Sequence, residues 1–428
     1  MIIKDDISRG FQNKIKAISG GICAVSDVKV AGVRNGKYGI CLISSPESDV
    51  AGVFTSNKVT AVPVDYTKKI IEDGKLSAIV ANSGNANCFT GNQGIWDCEN
   101  IVKNVSKSID IDENEIATAS TGVIGRKMPM DIIEDLINRA SEKLENSNNA
   151  SIDGAKAIMT TDTVYKESAV EVTLENGKKV NIGGICKGTG MIAPNMGTML
   201  CFIATDAEAD QKTLKKALKQ SVDDSFNMVV VDGDESTNDT VLLFANGKSK
   251  NKIIQSSSNG SISDSDSYID KNFQEGLNVL CKDLAKQMAK DGEGATKFIE
   301  VEVNGAKTKY DAQIASKSVI ESSLVKTAVF GGDPNWGRIV SALGYSGASM
   351  DPNNVTIAIA AKKDFVYLVL DGEPLAFEGT DNLKNAEKLM QNEEIKIFID
   401  LNKGKNDATA YGCDLTYDYV KINAEYTT

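Results

Sequence analysis

One stretch, residues 183–206, constrains this chain more than any other: GGICKGTGMIAPNMGTMLCFIATD. Its first part carries Gly183, Gly184, Gly188 and Gly190, then Pro194 and Asn195. Glycine frees the backbone and proline cannot donate to a ladder, so this part reads as irregular. From Thr198 onward the sequence turns apolar, through Met199, Leu200, Cys201, Phe202, Ile203 and Ala204. A short apolar run bounded by turn signals reads as a buried strand. Gly197 and Thr198 therefore stand where a flexible loop enters the core. Taken alone, a threonine at that place is a common way to begin a strand.

The chemistry open to the chain is narrowed by an absence, since it contains no histidine. A Ser-His-Asp triad, a Cys-His pair and a histidine metal site are excluded. A threonine freed as a chain N-terminus needs no histidine, because its own α-amine takes the hydroxyl proton. The bond between Gly197 and Thr198 suits the making of such a terminus. The hydroxyl attacks the preceding carbonyl, an ester forms, and water cleaves it.

Composition sets the outer limits. A chain of 428 residues buries a large core and suggests two or three domains. Its net charge of −12 argues against nucleic acid or an anionic membrane as the main partner, while leaving room for a local basic pocket. No apolar run approaches the roughly 18 to 20 residues that span a bilayer, and the first residues, MIIKDDISRGFQNK, hold no apolar signal region. A cytoplasmic location is the expectation. The eight cysteines are irregularly spaced, form no CxxC, and read as reduced and structural. Cys186 stands apart because the adjacent Lys187 would lower its pKa if the two side chains met.

The pattern predicts mixed α/β or α+β layers with both faces of the sheets covered. Strands and turns fill residues 19–66, and a buried strand runs over 76–81. It ends at Asn82-Ser83-Gly84-Asn85-Ala86-Asn87, a cluster that suits a pocket lining and tight turns equally. Helices are expected over 95–108, 129–146, 210–227, 273–288, 312–328 and 381–391. Between the first two, Ser120-Thr121-Gly122 reads as a strand-to-helix loop able to aim a hydroxyl and an N–H at one point. Strands at 165–174 and 178–186 are joined by Glu175-Asn176-Gly177, a hairpin signal. Residues 248–268 are polar and expected to be exposed and mobile. The acidic turn at 232–239 lacks the glycine and the bidentate glutamate of a calcium loop, so a magnesium site or, preferably, a hydrogen-bonded turn remains. The segment 331–338, GGDPNWGR, reads as a rigid turn, and 411–422 as a last strand.

Several of these stretches together resemble the ornithine acetyltransferase (glutamate N-acetyltransferase) family. KGTGMIAPNMGTML looks like its signature, and ASTGVIGRKMP at 119–129, MTTDT at 159–163, DGDESTNDT at 232–240, DGEGATK at 291–297, GGDPNWGR at 331–338 and YVKINAEYTT at the end follow in family order. The resemblance extends over essentially the whole chain. It implies a self-processing fold shared with certain self-cleaving aminopeptidases, and two chains, 1–197 and 198–428, that assemble into a heterotetramer. It makes Thr198 the nucleophile and Thr121 and Gly122 the oxyanion hole. It makes Thr161 (or its neighbour Thr160), Lys187, Thr198, Glu293, Asn423 and Thr428 the substrate contacts. Where the family has alanine before the nucleophile this chain has Gly197, which is sterically permissive. The implied reaction moves an acetyl group from N2-acetylornithine to glutamate in arginine biosynthesis, without metal or cofactor. Acetyl-CoA stands as a second donor to be tested.

Two other readings stay open on the residues alone. One is a self-processing amidase or aminopeptidase, in which water accepts the acyl group. The other is a non-catalytic amino-acid-binding protein whose Gly/Asn loops hold the ligand.

Overall fold

The computed structural model describes residues 7–8, 10–193, 199–256 and 267–425. The chain forms two compact units: residues 1–188, 195–223 and 235–284 in the first, and 189–194, 224–234 and 285–428 in the second. This division by packing differs from the expected division by cleavage, because the first unit takes chain from both sides of residue 197.

The first unit is built on a nine-stranded mixed sheet. Its main path runs Ile15–Ala17, Lys166–Thr173, Lys179–Lys187, Leu200–Thr205, Thr240–Ala245, Tyr38–Phe54, Lys75–Asn85 and Ile116–Val123, with Lys29–Asn35 also paired to Tyr38–Phe54. Leu200–Thr205 lies between an antiparallel neighbour, Lys179–Lys187, and a parallel one, Thr240–Ala245. All six of its residues are buried, as the continuous apolar run requires of a strand covered on both faces. Alternation confirms the double cover. Ile43, Ile79 and Phe202 enter one apolar cluster, whereas the adjacent Leu42 and Val80 enter another with Ile133, Leu136 and Ile137 of the helix Met130–Ser141.

The second unit holds a seven-stranded mixed sheet in the order Glu373–Pro374, Asp364–Leu370, Thr356–Ala361, Glu394–Asp400, Phe298–Ala306, Asn406–Cys413 and Val229–Val230. The helix Lys309–Glu321 lies against its strands Phe298–Ala306 and Asn406–Cys413. The mixed α/β fold class is therefore as the pattern predicts.

Local departures have physical causes. The glycines Gly183 and Gly184 lie inside the strand Lys179–Lys187, as the strand expected over 178–186 has them and not in the loop that their residue type suggests. A side chain at Gly183 would come within 2.1 Å of the Gly21 carbonyl oxygen, so this glycine serves a close backbone approach. Residues 82–85 continue the strand Lys75–Asn85, and Thr121 and Gly122 end the strand Ile116–Val123. A helix, Val62–Ile70, occupies part of the region expected to hold strands and turns, with Pro63 in its first turn. Residues 312–328 divide into helices Lys309–Glu321 and Ser323–Gly331, because Ser322 caps the second through its side chain. Trp336 opens a helix, Trp336–Tyr345, instead of closing a turn. The last strand is Asn406–Cys413, and Tyr417–Glu425 is helical. In the polar region 248–268, residues 254–256 and 267–269 pair as two short strands, and 257–266 lie outside the described residues.

Candidate active site

In the first unit the ends of two parallel strands, Lys75–Asn85 and Ile116–Val123, carry the expected oxyanion pair. Thr121 lies beside Ser83 and Gly122 beside Gly84. Thr121 is buried. Gly122 has φ +134°, and a side chain there would approach the Gly84 carbonyl carbon to 2.4 Å. Only glycine fits that backbone. The surrounding asparagines hold the strand ends. Asn238 donates to the Ala86 carbonyl at 2.7 Å and the Ser120 carbonyl at 2.8 Å, and Asn85 donates to the carbonyls of Arg126 and Lys127. The Asn/Gly cluster thus spends its amides on backbone carbonyls.

Lys187, at the end of the strand Lys179–Lys187, reaches the same place. Its side chain is 2% exposed, and Nζ donates to Thr121 Oγ1 at 3.3 Å. Beyond it is Asp162, whose Oδ2 stands 3.8 Å from Lys187 Nζ. Asp162 Oδ1 accepts from Lys166 Nζ at 2.7 Å and from the Gly188 N–H at 2.9 Å, and Oδ2 accepts from the Thr160 N–H at 3.0 Å. Burial pushes the Asp162 carboxyl up, but Lys187 and Lys166 together outweigh burial and hold it down at about 2. Thr161, half-buried, adjoins this carboxylate in sequence.

Asp239 marks the start of the central strand. It is fully buried, and Oδ1 accepts the Met199 N–H at 2.9 Å. Oδ2 has no hydrogen-bond partner among the described residues. Burial raises this carboxyl well above the ordinary range.

The second unit carries Glu293 and Asn423. Asn423 Nδ2 donates to Glu293 Oε2 at 2.8 Å, and the Glu293 N–H donates to the Thr189 carbonyl at 2.9 Å. A side chain at Gly190 would come within 2.4 Å of the Glu293 carboxyl carbon. Asp232 accepts the N–H groups of Met191, Ile192 and Asp234, so the acidic turn is a hydrogen-bonded one. Tyr419 also donates to Asp232, at 3.3 Å.

The structure therefore brings together Thr121, Gly122 and Lys187 in one unit, and Glu293 and Asn423 in the other. Gly197, Thr198 and Thr428 lie outside the described residues. Cys186 is the packed thiol that the sequence reading favours over a reactive one. Burial pushes its thiol up to about 12 and outweighs both lysines, so it is a packed thiol. All eight cysteines are buried and free. Arg338 and Trp336 bond backbone carbonyls, of Leu324 and Ala376 respectively, and act in packing. Sequence reasoning missed Asp162, Lys166 and Asp239, although Asp162 and Asp239 sit inside quoted motifs. Their signal, a charged residue flanking an apolar strand, does not reveal burial.

The chain is similar in sequence to known proteins. The ArgJ family pattern matches residues 25–428. The chain is 53% identical over 415 residues to the glutamate N-acetyltransferase of Methanothermobacter thermautotrophicus, covering 97% of this chain and 99% of that one. It is 52% identical over 418 residues to the glutamate N-acetyltransferase of Methanocaldococcus jannaschii, covering 97% and 100%. A solved structure, the arginine biosynthesis bifunctional protein argJ of Bacillus halodurans, is similar with 40% identity and a TM-score of 0.44, over 52% of this chain and 96% of that one. By the span of the family match and the identity to these relatives, the chain belongs to the ArgJ family.

Proposed function

We propose that this chain is a glutamate N-acetyltransferase of arginine biosynthesis, an acyltransferase that works through a threonine ester. The observation that carries the reading is the buried Thr121 beside Gly122, with Lys187 against the Thr121 hydroxyl, in a chain half-identical to enzymes of that name. In this reading Thr198 Oγ attacks the acetyl carbonyl of N2-acetylornithine. Its proton passes to the Thr198 α-amine and on to the leaving nitrogen as the amide C–N bond breaks. The Thr121 hydroxyl and the Gly122 N–H hold the tetrahedral oxyanion. Ornithine departs, the glutamate amine attacks the acetyl-threonine ester, and Thr198 regains its proton. The exchange is redox-neutral and ping-pong. An α-amine of pKa about 7.7 to 8 is a serviceable base near neutral pH.

Lys187 and Thr161 hold a substrate carboxylate in this scheme. Glu293, placed by Asn423 and the Thr189 carbonyl, takes a substrate ammonium, and Thr428 completes the contacts. Cleavage between Gly197 and Thr198 exposes the amine, and the two chains assemble as a heterotetramer in the cytoplasm. Use of acetyl-CoA as a second donor is decided by direct assay.

The test is intact mass and N-terminal sequencing of the purified protein beside Thr198→Ala, followed by acetyl exchange between acetylornithine and glutamate. Two fragments, the second beginning Thr-Met-Leu-Cys and lost in the variant, with parallel double-reciprocal lines, are expected. An uncut chain that turns over, or intersecting lines, would sink the terminal-amine mechanism. Acetate release without glutamate would favour the amidase instead.

A further inference from the structure

We propose that Asp162 and Lys166 are positioning residues that fix Lys187 so that the Thr121 hydroxyl is turned to donate its proton to the oxyanion. The inference rests on the oxyanion-hole reading of Thr121 and assigns what sets that hydroxyl.

An ammonium has three donors and no acceptor, whereas a threonine hydroxyl has one donor and two lone pairs. In the Lys187–Thr121 contact at 3.3 Å the lysine must donate and Thr121 Oγ1 must accept. The hydroxyl proton is then directed away from Lys187. A hydroxyl free to rotate would present a lone pair to the oxyanion part of the time, which repels it.

Lys187 stays in that role because of what Asp162 does elsewhere. A buried ammonium beside a buried carboxylate ordinarily closes onto it, since desolvation costs several kcal/mol per ion and the contact offsets it. Here Lys166 holds the close contact. Lys166, fully buried, sits 2.7 Å from Oδ1, and the N–H groups of Gly188 and Thr160 occupy both carboxylate oxygens. Lys187 is left at 3.8 Å, too far for a direct hydrogen bond. Two lysines on one aspartate also leave the trio with one positive charge in excess, the sign that suits a developing oxyanion. Arg34 also feels the Asp162 charge, and its guanidinium is bonded to the carbonyls of Lys156 and Met159. Lys166 adds a bond to the Val164 carbonyl at 3.2 Å, which fixes its head.

Losing Lys166 leaves Oδ1 with the Gly188 N–H alone, and Lys187 is expected to move onto Asp162 and off Thr121. The experiment is a double-mutant cycle on the full chain, with Lys166→Met, Thr121→Val and both together. Acetyl-exchange kcat is measured per cut, folded molecule, and Lys166→Arg serves as the conservative variant. Lys166→Met is expected to lower kcat about 10- to 100-fold, less than the roughly 100- to 1000-fold of an oxyanion donor lost outright. In the Thr121→Val background the same change is expected to matter by less than about threefold, since the group it acts through is gone. Lys166→Arg recovers most of the loss. Additive losses in the cycle, or a Lys166→Met enzyme as fast as wild type, overturn the proposal while leaving the function intact. The double variant Asp162→Asn with Lys166→Met removes the buried pair together and guards against a folding failure; it too is expected to be slow, and wild-type kcat in it counts against the proposal. A wild-type protein without acetyl exchange, or a Thr121→Val protein of undiminished rate, sinks the reading of the site and this inference with it.

Discussion

Two residues in the first unit show how little latitude the strand ends have. At Gly122 the backbone needs φ +134°, and any β-carbon meets the neighbouring strand at 2.4 Å. Gly122→Ala is expected to cost more than about 2 kcal/mol of stability, from backbone strain plus a clash with backbone that cannot yield. Acetyl exchange should fall at least about 100-fold, the scale of a lost oxyanion donor. Thermal melting and kcat check both, and a normal melt with normal turnover would contradict the assignment. At Asp162 the sign of the pH effect follows from its direction. Its folded pKa, about 2, lies below the reference value of 3.8. The stabilisation is therefore complete above about pH 4 and is lost as pH falls toward 2. It amounts to something on the order of 2 kcal/mol. Urea unfolding at pH 5 and pH 2.5 should show the stability difference between wild type and Asp162→Asn narrowing by about that much. An unchanged difference would mean that the lysines do not hold this carboxylate ionised.

At the scale of elements, what the sequence revealed depended on whether periodicity or tertiary contact decided the outcome. The helix over 273–288 was legible from Phe273, Leu277, Leu280, Leu284 and Met288, and it runs Lys271–Lys290. The hairpin through Asn176-Gly177 was legible from its turn, since Gly177 has φ +81°. The glycine-rich start of the central stretch gave two conflicting signals, a strand over 178–186 and a loop from Gly183 onward. Gly183 and Gly184 signal a loop by propensity, yet the sheet needs them small where backbone approaches backbone. The end of the chain misled for the opposite reason. Tyr417–Glu425 has β-forming residues at short intervals, but Thr416 supplies its side chain to the Tyr419 N–H and starts a helix, which brings Asn423 to Glu293. Of the candidate residues that motifs named, Thr121 and Lys187 meet in one unit and Glu293 and Asn423 in the other. Asp162, Lys166 and Asp239 emerge only when burial is known, because an acid or a lysine in a polar stretch ordinarily reads as solvated.

The molecule as a whole sets limits on what scission at 197–198 can do. In the first unit Leu200–Thr205 and Thr240–Ala245 form a parallel pair, flanked by Lys179–Lys187 on one side and Tyr38–Phe54 on the other. Two strands from beyond the cleavage bond are thus laced between two from before it. Both ladders, and the apolar cluster around Phe202 and Phe244, survive the loss of one peptide bond. Cut protein should migrate in native size exclusion as the uncut Thr198→Ala variant does, and part into two fragments only in denaturant. Fragments that separate in native buffer would show that the ladders do not hold. The lacing has a further result in time. An intact precursor closes its central sheet within one chain, whereas a cut one, once unfolded, must find its other half by collision. Its recovery would then depend on concentration and compete with aggregation of exposed strand edges. A molecule cut in this way would persist by the height of its unfolding barrier, with the covalent memory of its assembly erased.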